Sequence, residues 1–286
     1  MQLTVDIKSH PSKFKRALDG KMMAMIFEKP SLRTRTTFVV GIKQLGGDSI
    51  YLSPQEISLG KRESIYDVAK NLERMVDAVM IRTFDHDVCK RFAEYCSKPV
   101  INGLTDHEHP CQALADFFTL REFKKDITTL KLAYLGDGNN VCHSLMLTGA
   151  KLGAHFFVAA PDHYQPNDLV VKRAKEIAEV TGATIDILTD PVAAAEGADL
   201  IYTDTWASMG QEIEAEERRR VFMPYQVNGE LFSHAHKDAL FMHCLPAHRG
   251  EEVLDEVIDS PNSVVFQEAE NRLHVEKALM YELLRD

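Results

Sequence analysis

Twice along this chain, short apolar runs alternate with stretches of helical period, and that alternation limits the fold more than any other feature. In the first half, Met22–Ile26, Ser49–Leu52, Ala78–Ile81 and Pro99–Ile101 read as strands, and Thr36–Leu45, Glu63–Val76, Cys89–Cys96 and Cys111–Phe123 read as helices. Near the start, Ser12–Leu18 also reads as a short helix, capped by Ser9-His10-Pro11. The cycle restarts at Leu130. Strands are expected at Leu130–Leu135, His155–Ala160, Thr184–Leu188, Leu200–Thr203, Ala239–His243 and Val264–Phe266, with helices at Ser144–Leu152, Asp168–Thr181 and Pro191–Gly197 between them. Such alternation makes parallel sheets with helices on both faces, so the expectation is an α/β protein of two domains. The polar segment Lys124-Lys125-Asp126 separates the two runs, which places the domains at 1–126 and 127–266, while the last helix, Glu270–Leu284, can cap either.

Composition narrows the function. A chain of 286 residues with a formal net charge of −10 lacks the basic face that a nucleic acid or an anionic membrane requires. No run approaches the ~18 apolar residues that span a bilayer, and Met1-Gln2-Leu3-Thr4-Val5-Asp6 lacks the layout of a signal peptide, so a cytoplasmic protein is expected. Five scattered cysteines, Cys89, Cys96, Cys111, Cys142 and Cys244, form no Cys-x-x-Cys pair, which speaks against both a disulfide framework and a zinc site.

In open parallel sheets, ligands collect beyond the carboxyl ends of the strands. The residues just after the expected strands are Ser31–Arg35, Ser58, Arg82, His109, Asn139-Asn140, Asp204 and His243-Cys244, and they hold most of the reactive chemistry. Those of the first run are expected to face those of the second across an interdomain cleft. Ser31-Leu32-Arg33-Thr34-Arg35 falls where a strand gives way to a helix N-terminus, a place suited to a phosphate, although a plain cap followed by solvated arginines fits the same letters. Gly136-Asp137-Gly138 follows a strand as a dinucleotide loop would, and Asp162 stands where a ribose-binding acid would, but Val141 occupies the place of the third glycine. His107-Glu108-His109 lacks an evident third metal ligand. Cys244 read alone is a buried thiol, yet Pro246 directly beyond the strand end forces an irregular turn whose carbonyls escape the sheet.

Taken together and in order, Ser31-Leu32-Arg33-Thr34-Arg35, His109-Pro110-Cys111-Gln112, Asp204-Thr205-Trp206-Ala207-Ser208-Met209-Gly210, His243-Cys244-Leu245-Pro246 and Glu270-Asn271-Arg272 resemble the signature of the ornithine carbamoyltransferases. The likeness runs from about Met22 to the C-terminus. In aspartate carbamoyltransferases the position of Cys244 is not a cysteine in this context. The resemblance implies two α/β domains with the active site in the cleft between them, and a last segment, 267–286, that packs back on the first. It also implies transfer of a carbamoyl group from carbamoyl phosphate to L-ornithine, giving L-citrulline and phosphate in arginine biosynthesis, without metal or organic cofactor.

Residue by residue, the resemblance implies that Ser31, Leu32 (through its backbone N–H), Arg33, Thr34 and Arg82 hold the phosphate, with Arg272 as a further basic contact. His109 and Gln112 address the carbamoyl group, and the carbonyls of Cys244 and Leu245 its amide. Asn140, Asp204, Ser208 and Met209 contact ornithine, and the Ser208-Met209-Gly210 loop closes over it. Arg82, His109, Cys244 and Asp204 carry the catalysis: the first two, with Thr34, stabilise charge on the carbonyl oxygen, and the last two bind and deprotonate the amine. The family's trimers, or multiples of trimers, imply a homotrimer. Two departures stand out, Ser58 in place of a glutamine that reaches a neighbouring subunit and a short segment before Lys21. Alternatives are another acceptor amine (putrescine or N-acetylornithine), a non-catalytic paralogue, and a nicotinamide enzyme.

Overall fold

Met22–Phe27 (β1) is apolar at every position because both faces of the strand are covered. Met23, Met25 and Phe27 face one way, toward Phe38 and Ile42 on one helix and Met280 and Leu284 on another; Ala24 and Ile26 face the other way, toward Ile65, Val68 and Phe92. That period of two assigns each strand residue to one of two helical layers.

The computed structural model describes residues 1–124, 126–208, 210 and 212–285. They fall into two units, Met1–Cys111 with Glu270–Asp286, and Gln112–Ala269. In the first, α1 (Gln2–Ser9) precedes β1, then α2 (Leu32–Gln44), β2 (Asp48–Leu52), α3 (Pro54–Ile57), α4 (Ile65–Leu72), β3 (Ala78–Arg82), α5 (His86–Tyr95) and β4 (Val100–Leu104). The four strands are parallel in the order β2-β1-β3-β4. Helix α6 (Pro110–Phe123) begins at the junction and belongs to the second unit from Gln112 on.

The second unit continues with β5 (Lys131–Leu135), α7 (Asn140–Leu152), β6 (His155–Ala159), α8 (Asp168–Thr181), β7 (Ile185–Leu188), α9 (Pro191–Ala195), β8 (Leu200–Tyr202), α10 (Ala215–Phe222), α11 (Gly229–Ser233), β9 (Leu240–Met242) and α12 (Asp255–Ile258). Its five parallel strands run β7-β6-β5-β8-β9. Trp206, Phe222 and Phe241 anchor its core. The final helix, α13 (Val265–Leu284), starts in this unit and passes into the first at Glu270. Among the described residues no helix is long and apolar enough to cross a membrane.

Two expectations fail locally. Val264–Phe266 is not a strand: Ser263 makes one isolated bridge to Phe241, Val264 N donates to Phe241 O at 3.0 Å, and the chain turns into α13 at Val265. A β-branched pair followed by Phe carries strand propensity, but the helical period of Glu268–Leu284 extends backward over it. Ser12–Leu18 forms only a 3₁₀ turn over Pro11–Phe14, and the regular helix at this end is α1. Its Ile7 is buried, and Lys8 Nζ donates to Asn271 Oδ1 on α13 at 2.7 Å, so the short first segment is tied to the last helix.

Candidate active site

In the first unit the site is built on the turn from β1 into α2. Ser31 is the N-cap, its Oγ accepting from Thr34 N at 3.2 Å, so the first turn of α2 carries Leu32, Arg33 and Thr34. Thr34 is buried, and its Oγ1 accepts from two guanidiniums, Arg82 Nη1 at 3.4 Å and Arg272 Nη2 at 3.0 Å. Arg82 closes β3 at a register shift between Ile81 and Arg82, where β4 supplies Gly103. A Cβ on Gly103 would sit 2.5 Å from Met80 Sδ and 3.2 Å from Ile81 O, so glycine fits this bulge without displacing Met80, and a bulge re-aims the side chain beside it.

His109 precedes α6 and is buried. Burial first, then the charges of Arg272, Arg82 and Arg33, hold its imidazole well below the ordinary histidine range. It is therefore neutral at physiological pH, able to donate or accept without adding charge. Three guanidiniums and a neutral imidazole around a helix N-terminus are an arrangement that can hold an anion and donate to a neutral polar group. Arg35, by contrast, is exposed and stacks over the ring of Tyr51 at 3.9 Å. Ser58 sits in the left-handed region at φ +42°, and its Oγ donates to Pro54 O at 2.6 Å within its own turn.

The second unit gathers a different chemistry. Asp204, just beyond β8, accepts from Thr205 N (2.8 Å), Asn139 Nδ2 (2.8 Å) and Cys244 Sγ (3.1 Å). Asn139 is the N-cap of α7; its Oδ1 takes the N–H groups of Val141 and Cys142 and its amide reaches Asp204, a clamp that residue order alone did not reveal. Asn140, the expected ligand contact, is half-buried in the first turn of α7, and Ser208 is half-buried two residues beyond Trp206. Met209 lies outside the described residues. Trp206 is a core anchor, stacked on Phe222 with ring centroids 6.1 Å apart, and its carbonyl accepts from Arg218 Nη1 at 2.9 Å.

Cys244 is half-buried, and burial, with Asp204 and Glu268 nearby, pushes its thiol well above the ordinary range. It is a neutral donor, not a thiolate. His243 supports the turn: Leu245 N donates to its Nδ1 at 2.8 Å, which leaves the proton on Nε2, 3.2 Å from Glu252 Oε1. Leu245 takes φ +56° before Pro246. Gln112 is buried, its Nε2 donating to Asp116 Oδ1 (2.7 Å) and Glu268 Oε1 (2.8 Å), while Glu268 Oε2 accepts from His243 N (3.1 Å). Burial and the facing Asp116 push Glu268 well above the carboxylate range, so the pair retains a proton.

Metal-type donors approach within 4.8 Å of one another in two groups among the described residues, Asp204 with His243 and Cys244, and His248 with Glu251 and Glu252. Neither includes His107 or His109. In the first group the donors already serve one another and the turn. The Gly136–Gly138 loop is accounted for by packing: a Cβ on Gly138 would lie 2.2 Å from Pro166 N, and Asp137 pairs with Arg218 at 3.1 Å.

Comparison with known proteins adds a consistent result. Two models of aspartate/ornithine carbamoyltransferase domains match the chain, the carbamoyl-P binding domain over residues 1–122 and the Asp/Orn binding domain over 128–283. The ornithine carbamoyltransferase of Thermococcus kodakarensis is 59% identical over 265 residues, which is 93% of this chain and 84% of that protein. The solved ornithine carbamoyltransferase of Pyrococcus furiosus is similar at a TM-score of 0.96 and 52% identity, over 99% of this chain and 91% of that one. A mutant N-acetyl-L-ornithine transcarbamylase is similar at 0.88 and 30% identity, over 99% and 94%.

Proposed function

The chain belongs to the aspartate/ornithine carbamoyltransferase family, and from that premise we propose that it transfers the carbamoyl group of carbamoyl phosphate to the side-chain amine of L-ornithine, giving L-citrulline and phosphate. The observation that carries this reading is the convergence of Arg82 and Arg272 on Thr34 Oγ1 at the N-terminus of α2, beside a neutral His109. Carbamoyl phosphate is taken up by the first domain, 1–126 joined by 267–286, and ornithine by the second, 127–266.

Ser31, Leu32, Arg33, Thr34, Arg82 and Arg272 receive the phosphate. His109 and Gln112 address the carbamoyl group, and the carbonyls of Cys244 and Leu245 its amide. Gln112 is suited to this because the carboxyl groups of Asp116 and Glu268 accept from its Nε2 and so fix which way the amide turns. Ornithine is met by Asn140, Asp204, Ser208 and Met209. Its neutral amine attacks the carbonyl carbon, Arg82, His109 and Thr34 stabilise the oxygen as it gains charge, and phosphate leaves with the proton. Asp204 with the Cys244 thiol binds and deprotonates the incoming ammonium. A protonated thiol engaged with a carboxylate favours this role over a covalent one.

Citrulline formation from carbamoyl phosphate with ornithine, beside putrescine and N-acetylornithine, tests the reading. Preference for ornithine is expected; product only from another amine would overturn the assignment of Asp204–Gly210, and no product from any would favour a non-catalytic paralogue. A cytoplasmic homotrimer, or a multiple of trimers, is the assembly the family resemblance supports, and the mass in solution checks it.

A further inference from the structure

Glu276 lies one turn beyond Arg272 on α13, and both side chains are fully buried, 0% and 2% exposed. Its Oε1 accepts from Arg272 Nε at 2.8 Å and from Nη2 at 2.7 Å. That same Nη2 donates to Thr34 Oγ1, so the carboxylate grips the guanidinium at the edge that meets the phosphate-binding turn. Burial pushes the Glu276 carboxyl up, while Arg272, Thr37 and Arg82 pull against it. The fold has thus placed a buried anion in a site otherwise suited to attracting one.

We infer that Glu276 is a built-in counter-anion that competes with phosphate for Arg272 and so keeps the product phosphate from binding too tightly. The inference rests on the reading of the first unit as the phosphate site. Arg82 and Arg272 both meet Thr34, and Glu276 sets a negative charge against Arg272 at the place where a phosphate would meet it. Removing that negative charge raises the positive potential that an entering anion meets. The sign is therefore distinctive: a residue that merely orients Arg272 would weaken anion binding when removed, whereas a competing anion strengthens it.

The test is calorimetric titration of inorganic phosphate into the full chain, alongside the unfolding midpoint at rising phosphate concentration, for wild type, Glu276→Gln, Glu276→Asp and Arg272→Met. Glu276→Gln is expected to bind phosphate about tenfold tighter, to show a product-inhibition constant for phosphate lower by the same factor, and to lose turnover as release slows. It should unfold earlier without phosphate and close the gap as phosphate saturates. Because the midpoint series reads binding through stability, a destabilised variant still gives an answer. Glu276→Asp, which keeps the charge, should stay near wild type in phosphate affinity. Equal or weaker phosphate binding by Glu276→Gln would overturn the inference while leaving the anion site intact. Wild-type protein that binds no phosphate, or binds it equally after Arg272→Met, would remove the anion site and the inference with it.

Discussion

The two units use the same architectural position, a helix N-terminus just beyond a central parallel strand, for opposite electrostatic ends. At α2 the cap is supplied by Ser31, and the groups brought to the turn are cationic: Arg82 from β3 and Arg272 from α13. At α7 the cap is Asn139, whose amide is spent on Asp204, so the turn holds a carboxylate and a thiol. Burial then acts in opposite directions on the two sets. It removes the charge from His109 in the first unit and retains protons on Glu268 and Cys244 in the second. The lesson is that a helix terminus does not dictate ligand charge; the residues converging on it from other elements do.

The contrast can be broken most directly at the cationic end. Arg82→Ala should reduce turnover at least about a hundredfold if, as proposed, its guanidinium stabilises developing oxyanion charge; a near-wild-type rate in a steady-state assay would expel Arg82 from the site. At the acidic end, Asp204→Asn should lower kcat/KM for ornithine by roughly tenfold to a hundredfold, the scale of a lost charge-assisted contact, while the KM for carbamoyl phosphate moves little. Should both KM values rise alike, the separation of the two substrates between the units would fail.

Cys244→Ser should cost less, on the order of tenfold, because a hydroxyl can still donate to Asp204. A rapid-quench experiment that traps carbamoyl on the wild-type thiol would instead establish a covalent route.

The smallest effects are in stability against pH, and they carry opposite signs. The folded pKa of His109 is depressed, so below its unfolded value of about 6.5 the unfolded chain takes up protons that the fold refuses, and stability falls as pH drops. Asp137 is pushed up to about 6, burial outweighing Arg218; its contribution is full below about 3.9 and is lost as pH rises through 6. Each should give a slope of up to about 1.4 kcal/mol per pH unit in its window. Denaturant titrations of His109→Gln and Asp137→Asn across pH 4 to 8 should flatten one limb each; identical limbs would show that neither group titrates as its surroundings require.

Much of this architecture was legible from residue order. The strand runs beginning at Met22, Ala78 and Leu130 announced themselves by continuous apolar character, and the cap at Ser31 by its hydroxyl before a helical period. The start of α13 was not, because Val264-Val265-Phe266 has strand propensity, whereas the helical period from Glu268 reaches back to Val265, which is buried in the core of the second unit. Asn139 was marked by its place just beyond a strand, and its capping role could have been read from its position just before α7, where a short polar side chain caps a helix. Glu276 and Glu268 could not. They lie on a helix whose sequence pattern marks them merely as polar, and their importance comes from what faces them.

The sequence by itself determined two βα runs, the kind of residue at each strand end, and the ordered motifs that mark the family. Charge states and pairings were decided only by the tertiary structure. Arg272 meets Thr34 across 238 positions of chain, and no local pattern encodes that contact. The physical reason is that helix and strand formation are set by near neighbours and periodic burial, whereas the protonation of His109, Cys244 and Glu268 depends on desolvation and on charges that folding brings within a few ångströms.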